Sequence, residues 1–346
     1  MNKSSNIKKS LSRRKLLKGF AGIPFLALLG RPALKNPADP DRDVASETTI
    51  NSGFEQLKNL KGKLPEGKIG NLSITRMIMG CNLIGGWAHA RDLIYANNLF
   101  KKYHSEEKII ETLSLAEQAG INTAFMVTGY YPVFNKYKNL HNGKMQSICQ
   151  TMLPDNDFFS NIKLAIDSGA TALYIQGGEG DRYMSSGKSN MIFKAIDYIK
   201  KQGFLAGIGA HSIESIKVCE KENIPVDFYV KTLHHDRYWS AHPVGNRTEY
   251  SIIRDYESDH NKFHDNIWDL FPSNTIEYMK NVKKPWIAFK VLAAGAIEPK
   301  DGFSYAFENG ADFICVGMFD FQVIEDVNTA FEVLSTLKPR ERQWFS

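Results

Sequence analysis

Cysteine, long apolar runs and N-terminal acids are the scarce features of this 346-residue chain. Its four cysteines, Cys81, Cys149, Cys219 and Cys315, show neither CxxC nor metal-ligand spacing, which argues against a cysteine-held metal or a dithiol redox motif. Three of them lie in apolar, strand-like runs, where a buried thiol is ordinary packing. An oxidising compartment would permit disulfides, but the spacing pairs none of them. No apolar run reaches the roughly 20 residues that a membrane-spanning helix needs. Residues 1–34 hold no acid and carry Lys3, Lys8, Lys9, Arg13, Arg14, Lys15, Lys18 and Arg31. Without those eight, 35 basic residues face 38 acidic ones. The formal charge of +5 therefore belongs to the N-terminus and gives no support for a nucleic-acid partner.

What is present begins with that N-terminus. Ser12-Arg13-Arg14-Lys15-Leu16-Leu17-Lys18, followed by the apolar run 20–29, resembles the twin-arginine export motif. Residues 1–34 are expected to be a twin-arginine signal peptide. The alternative is an uncleaved amphipathic anchor, because no clean small-x-small site surrounds Arg31-Pro32-Ala33. The motif implies the twin-arginine export machinery as a partner, a periplasmic or otherwise exported location, and no stable membrane span after processing. Residues 35–66, rich in Pro, Asp, Asn and Lys, read as a flexible linker. Residues 67–346 read as one domain.

Within that domain, Gly70-Asn71 separates two short runs and predicts a small hairpin. Short apolar runs then alternate with amphipathic stretches. Strands are expected at 76–81, 122–127, 145–149, 172–176, 205–212, 226–230, 286–291 and 312–316. Ser105-Glu106-Glu107 carries the cap and early acids of a helix start. Gly169 and Gly203 stop the helices they follow. Residues 82–103 and 237–271 read as long loops, and Gly177-Gly178-Glu179-Gly180-Asp181 as a glycine-rich turn. Eight strand–helix units predict an α/β fold, a (β/α)8 TIM barrel with a short N-terminal hairpin and long βα loops, with its site at the strand ends. A doubly wound open sheet is the alternative.

Several segments, in their order along the chain, resemble the aldo/keto reductase superfamily. They are Gly67-Lys-Ile-Gly-Asn-Leu-Ser-Ile-Thr-Arg-Met-Ile-Met-Gly80, Ala116-Glu-Gln-Ala-Gly-Ile-Asn122, the run from Lys201 to Ser212, and Val316-Gly-Met318 with Gln322, Asp326 and Ala330. The resemblance implies a nicotinamide-dependent carbonyl reductase with an Asp–Tyr–Lys–His tetrad. It places Tyr130 at the Tyr position and Gly317, Asp320 and Gln322 on the cofactor side. It also places Phe125 at the Asp position, no Lys at Cys149-Gln150-Thr151, and Gln176 where the His belongs. A tyrosine without a cationic neighbour is a poor acid near neutral pH. Ordinary hydride transfer is therefore not what this set of residues favours.

Other chemistry stands at the expected strand ends. Glu179, His211 and His234 could together hold a divalent metal, or Glu179 and His211 could work as acid and base. Lys290, a charge inside an apolar run, is expected to be paired or functional. Tyr130 or Lys290 would be the acid and Glu179 or His211 the base. Asn82, Trp87, Gln150, Gln176, Asp181, Tyr238 and Trp239 are substrate-binding candidates, since aromatics mixed with hydrogen-bonding groups suit a sugar. The leading expectation is an exported barrel enzyme that acts on a small carbonyl or carbohydrate-derived substrate, as an isomerase, epimerase or lyase. A divergent NAD(P)-dependent oxidoreductase and a non-catalytic sugar- or partner-binding barrel are the alternatives. The cofactor stays open between a divalent metal and NAD(P).

Overall fold

The structure, a computed structural model, describes residues 53–87, 93–250 and 269–345. The proposed signal peptide and the first part of the linker lie outside the described residues. Eight parallel strands close on themselves: β3 (Met77–Gly80), β4 (Thr123–Val127), β5 (Gln146–Thr151), β6 (Ala172–Ile175), β7 (Leu205–Ala210), β8 (Phe228–Thr232), β9 (Trp286–Phe289) and β10 (Phe313–Gly317). Pairing of Ile314 with Met77 and of Gly317 with Gly80 joins the last strand to the first. Before them, β1 (Glu66–Ile69) and β2 (Leu72–Thr75) form an antiparallel hairpin. The expected TIM barrel is the fold.

Alternation along each strand separates two apolar layers. Ile78, Phe125, Ile148, Tyr174, Phe228, Val230, Ile287 and Phe313 fill the barrel interior together with Ile69 and Ile74 of the hairpin. The intervening residues face the helices, as Met126, Leu173, Ile208 and Ala288 do. The helices are α1 (Asn82–Gly85), α2 (Ala96–Tyr103), α3 (Glu106–Gln118), α4 (Tyr131–Leu140), α5 (Ser160–Asp167), α6 (Gly177–Ser185), α7 (Ser189–Lys201), α8 (Ile213–Lys221), α9 (Pro272–Met279), α10 (Pro299–Glu308) and α11 (Val323–Thr336). Ser105 Oγ accepts from Lys108 N at 3.2 Å and so caps α3. Ser212 Oγ does the same for α8, accepting from Glu214 N at 3.1 Å.

At the end opposite the strand tips, Asp312 anchors the C-terminal tail. Its carboxylate accepts from Arg342 Nη1 at 2.8 Å, Arg340 Nη2 at 3.3 Å, Trp286 N at 2.9 Å and Phe345 N at 2.8 Å. The Arg340 and Arg76 guanidinium groups lie over the Trp344 ring. Two buried charges of one sign thus share one acid.

The fold corrects three expectations. Residues from 53 onward are not a linker: Phe54, Leu57 and Leu60, three apart, pack on the core around a 3-10 turn at Gln56–Asn59. Asn328 then ties that segment to α11, accepting from Lys61 N and donating to Asn59 O. The expected loop at 82–103 contains the helices α1 and α2, and α4 after it carries Pro132 in its first turn, where the fixed φ of proline suits a helix start. The glycine-rich turn at 177–181 is the first turn of α6.

Candidate active site

Glycine is needed in α6 for contact rather than for a turn. A Cβ on Gly180 would stand 2.3 Å from the Gly209 carbonyl oxygen, and one on Gly177 would stand 2.9 Å from His211 Cε1. A Cβ on Gly209 would in turn meet Gly177 N at 2.7 Å. These three glycines let α6 lie directly on the carboxyl end of β7. Gln176 fixes the start of the helix, its Oε1 accepting from Glu179 N at 2.9 Å.

That close approach brings Asp181 onto His211. The buried Asp181 carboxylate accepts through Oδ2 from His211 N at 2.8 Å and from His211 Nδ1 at 2.9 Å. Through Oδ1 it accepts from Ser215 Oγ at 2.7 Å and, at the long distance of 3.4 Å, from Ser212 N. With Nδ1–H given to the carboxylate, the lone pair of the imidazole is on Nε2. Burial pushes the imidazole down from 6.5 to about 4, against the pull of Asp181, with Lys290 and Lys231 pushing the same way as burial. His211 is thus neutral at physiological pH. Continuing the alternation of β7, its ring packs against the interior residue Phe289, 5.4 Å between centroids, at the barrel mouth.

Glu179 and Asp181 lie about 200° apart around the helix axis. Glu179 consequently faces the other way, bound by Arg182 Nη2 at 2.7 Å and Nε at 3.3 Å. It does not join His211, which corrects its assignment as partner base. His234 is spent as well. Its Nδ1 donates to His235 O at 2.9 Å, its Nε2 accepts from Asp269 N at 3.0 Å, and burial pushes it down to about 3. Among the described residues no group of three or more His, Cys, Asp and Glu side chains is placed to hold a metal. The expected Glu179–His211–His234 metal site is therefore withdrawn.

Two lysines surround His211. Lys290 follows β9 with a left-handed backbone, φ 60°, the kind of strain that persists only where surrounding structure imposes it. Lys231 is wholly buried, donating to Thr232 O at 3.0 Å, Thr232 Oγ1 at 2.8 Å and Asp269 Oδ1 at 3.4 Å. Burial lowers Lys231 and raises Asp269 to about 6, so desolvation exceeds attraction on both sides of this pair. Asp269 carries no motif or periodicity that marks it in the sequence. Its one legible counterpart was Lys231, a charge inside the apolar run of β8.

Tyr130, in a 3-10 turn after β4, packs edge-on against Trp87, 5.9 Å between centroids. Burial, then the neighbouring Cys81, raises its phenol, making it a weaker acid than in water. Phe125 packs on Tyr174 inside the barrel, and Tyr174 Oη donates to Gln150 Oε1 at 2.9 Å. Asn82 begins α1. Tyr238 packs beside His234 and against Ala293 and Ile297, whereas Trp239 is 89% exposed. Burial pushes the Cys81 and Cys149 thiols up to about 12, which leaves them unreactive packing groups.

On the expected cofactor side, Asp320 is bound by Tyr103 Oη and by Lys108 Nζ at 3.1 Å. Gln322 Oε1 accepts from Phe319 N at 3.1 Å, closing its own turn. Only Gly317 presents an open surface. Both carboxylate oxygens of Asp320 and the amide oxygen of Gln322 thus already serve the fold.

No protein-family model matches the chain, and no curated protein matches it in sequence. Solved structures similar to it include one described as "Putative aldo-keto reductase from Pseudomona aeruginosa", with TM-score 0.54 and 13% identity, covering 79% of this chain and 98% of that one. Another solved structure, also described as a "putative aldo-keto reductase from Pseudomona aeruginosa", gives TM-score 0.52 and 13% identity, covering 80% of this chain and 99% of that one. At this identity the likeness shows a shared barrel fold.

Proposed function

We propose that this barrel is an enzyme that moves a proton on a carbon adjacent to the carbonyl of a small substrate, with His211 as the base. The observation that carries the reading is the Asp181–His211 pair at the carboxyl end of β7, with Nδ1 2.9 Å from the carboxylate. A buried carboxylate that fixes the tautomer and orients the ring is what a histidine general base needs. His211 Nε2 takes the carbon-bound proton, Asp181 stabilises the imidazolium that forms, and the same nitrogen returns the proton to the rearranged substrate. No electron is lost or gained. Lys290, close enough to depress His211, supplies positive charge beside a developing enolate. Isomerase, epimerase and lyase outcomes all begin with this step.

The leader-like residues 12–29 support export of the folded enzyme through the twin-arginine machinery. Fractionation of a host carrying Arg13→Lys together with Arg14→Lys tests this, and unchanged periplasmic recovery of the variant would sink it.

For the reaction, the purified enzyme is incubated in D2O with a panel of small hydroxyketones and ketoses, and loss of α-proton NMR signal is followed. Exchange with at least one substrate is expected, reduced at least about a hundredfold in His211→Asn, the scale of a lost general base. Exchange insensitive to that substitution would overturn His211 as the base. NADPH-dependent loss of carbonyl without exchange would replace the reading with a divergent reductase.

A further inference from the structure

The helix α2, beside the barrel mouth, is apolar on the side that faces water. Its inward face is already filled. Ala96 is buried, and Phe100 and Tyr103, four and seven residues on, meet the Phe319 ring edge-on at 5.4 and 5.2 Å. The outward side carries Leu99 and, in the turn that leads into the helix, Ile94 and Tyr95. Leu99 N donates to Tyr95 O at 3.0 Å, so these two lie one turn apart on one face. Ile94 is 89% exposed and Leu99 57%. Two exposed aromatic rings flank them. Phe321 meets Tyr103 edge-on, 6.4 Å between centroids. A Cβ on Gly86 would stand 2.5 Å from Lys101 Cγ, which sets α2 against the end of α1, next to Trp87.

The charge on this face is of one sign. Residues 93–104 hold no acid, while Lys101 and Lys102 are exposed near the end of α2. Among the described residues no acid pairs with either lysine. An exposed apolar patch marks a protein or a membrane contact. Protein interfaces are depleted in lysine, and two turns of convex helix offer little area for one. Aliphatic and aromatic residues beside lysines on a short amphipathic helix suit the headgroup level of a bilayer. With 8 residues, α2 is too short to span and would lie in the plane of that surface.

We propose that α2 and residues 93–95 seat this barrel on an anionic lipid surface, with Ile94, Tyr95 and Leu99 among the headgroups and Lys101 and Lys102 on lipid phosphates. The barrel mouth then stands beside the bilayer, because Trp87 at the edge of the patch packs on Tyr130 after β4. The attachment does not depend on His211 or on any reaction.

The test places a nitroxide label on the full chain at Asn98→Cys, on the exposed face of α2, and at Lys163→Cys on α5 as a remote control. The unsubstituted chain supplies the background from its own cysteines. Vesicles of phosphatidylcholine mixed with phosphatidylglycerol should raise oxygen access and lower nickel-chelate access at the Asn98→Cys label, and leave the control unchanged. Lys101→Gln with Lys102→Gln should raise the lipid needed for that shift about twenty-five-fold, about fivefold for each lysine at an anionic surface. Ile94→Asn with Leu99→Asn should abolish the shift. Every substituted side chain is exposed, so the variants should melt with the parent. A chain that floats with the vesicles while the Asn98→Cys label stays in water is held by another segment, which overturns the proposal. An equal shift on phosphatidylcholine alone, or one untouched by the lysine substitutions, overturns it too. So does a lipid-free dimer in sedimentation that Ile94→Asn dissociates, because the face then serves a second copy.

Discussion

Replacing Asp181 should damage this protein in two graded steps. Asp181→Ala removes the acceptor of four donors, of which the His211 N–H, the His211 Nδ1–H and the Ser215 hydroxyl lie within 2.9 Å. The hydroxyl can turn elsewhere, but the two His211 donors are buried behind α6 and cannot reach water without movement. At about 1–3 kcal/mol for each stranded buried group, the expected loss is about 3–5 kcal/mol. Asp181→Asn is milder. Its oxygen can keep both His211 donors while its NH2 turns toward Ser215, whose hydroxyl rotates to accept. Only the 3.4 Å bond from Ser212 N and the negative charge are lost, and about 1–2 kcal/mol is expected. Urea unfolding of the two variants at pH 7.5 measures both. An alanine variant within about 1 kcal/mol of the parent would refute the buried network, because no assignment of those donors to Asp181 survives so small an effect.

Acid should weaken the fold through His211. Its folded value, about 4, lies below the unfolded 6.5, so the unfolded chain binds more protons between those pH values. Stability therefore falls as pH drops through that window, by about 3 kcal/mol. Asp269, raised from 3.8 to about 6, works the other way, so its contribution falls as pH rises across a similar range. The difference between parent and His211→Asn unfolding curves isolates the imidazole, and a flat difference from pH 7 to 4 would contradict its buried neutral state. Asp312→Ala should cost about 3–5 kcal/mol by leaving Arg340 and Arg342 buried without their acid, read by denaturant unfolding. Ala294→Gly should stabilise by about 0.5–1 kcal/mol, since Ala294 holds φ 52° and a left-handed alanine is strained; a lower melting temperature would refute that.

The barrel was legible because its strands are short apolar runs and its helices carry ordinary punctuation: Ser105 and Ser212 cap, and Gly120, Gly169 and Gly203 take positive φ at the stops. His211 was legible as a polar residue at the end of such a run. Its partner was harder. Asp181 and Glu179 look equivalent in sequence, and only the helical geometry of 177–185 turns one to His211 and the other to Arg182. That helix hid behind its glycines, which usually mark turns but here relieve contact with β7. His234 looked like a ligand because both its nitrogens could serve one; the backbone of His235 and Asp269 occupies them. Asp269 has no local signal, being defined by a pairing across 38 residues with Lys231.

Long-range 1H–15N spectra of protein labelled at histidine nitrogen, recorded from pH 8 to pH 4, test the central claim that a neutral, Asp181-oriented imidazole stands at the barrel mouth. The account predicts that His211 carries its proton on Nδ1, leaves Nε2 unprotonated, and begins to take a second proton only toward pH 4. A proton on Nε2 at pH 7.5, or titration of His211 near 6.5, would contradict it.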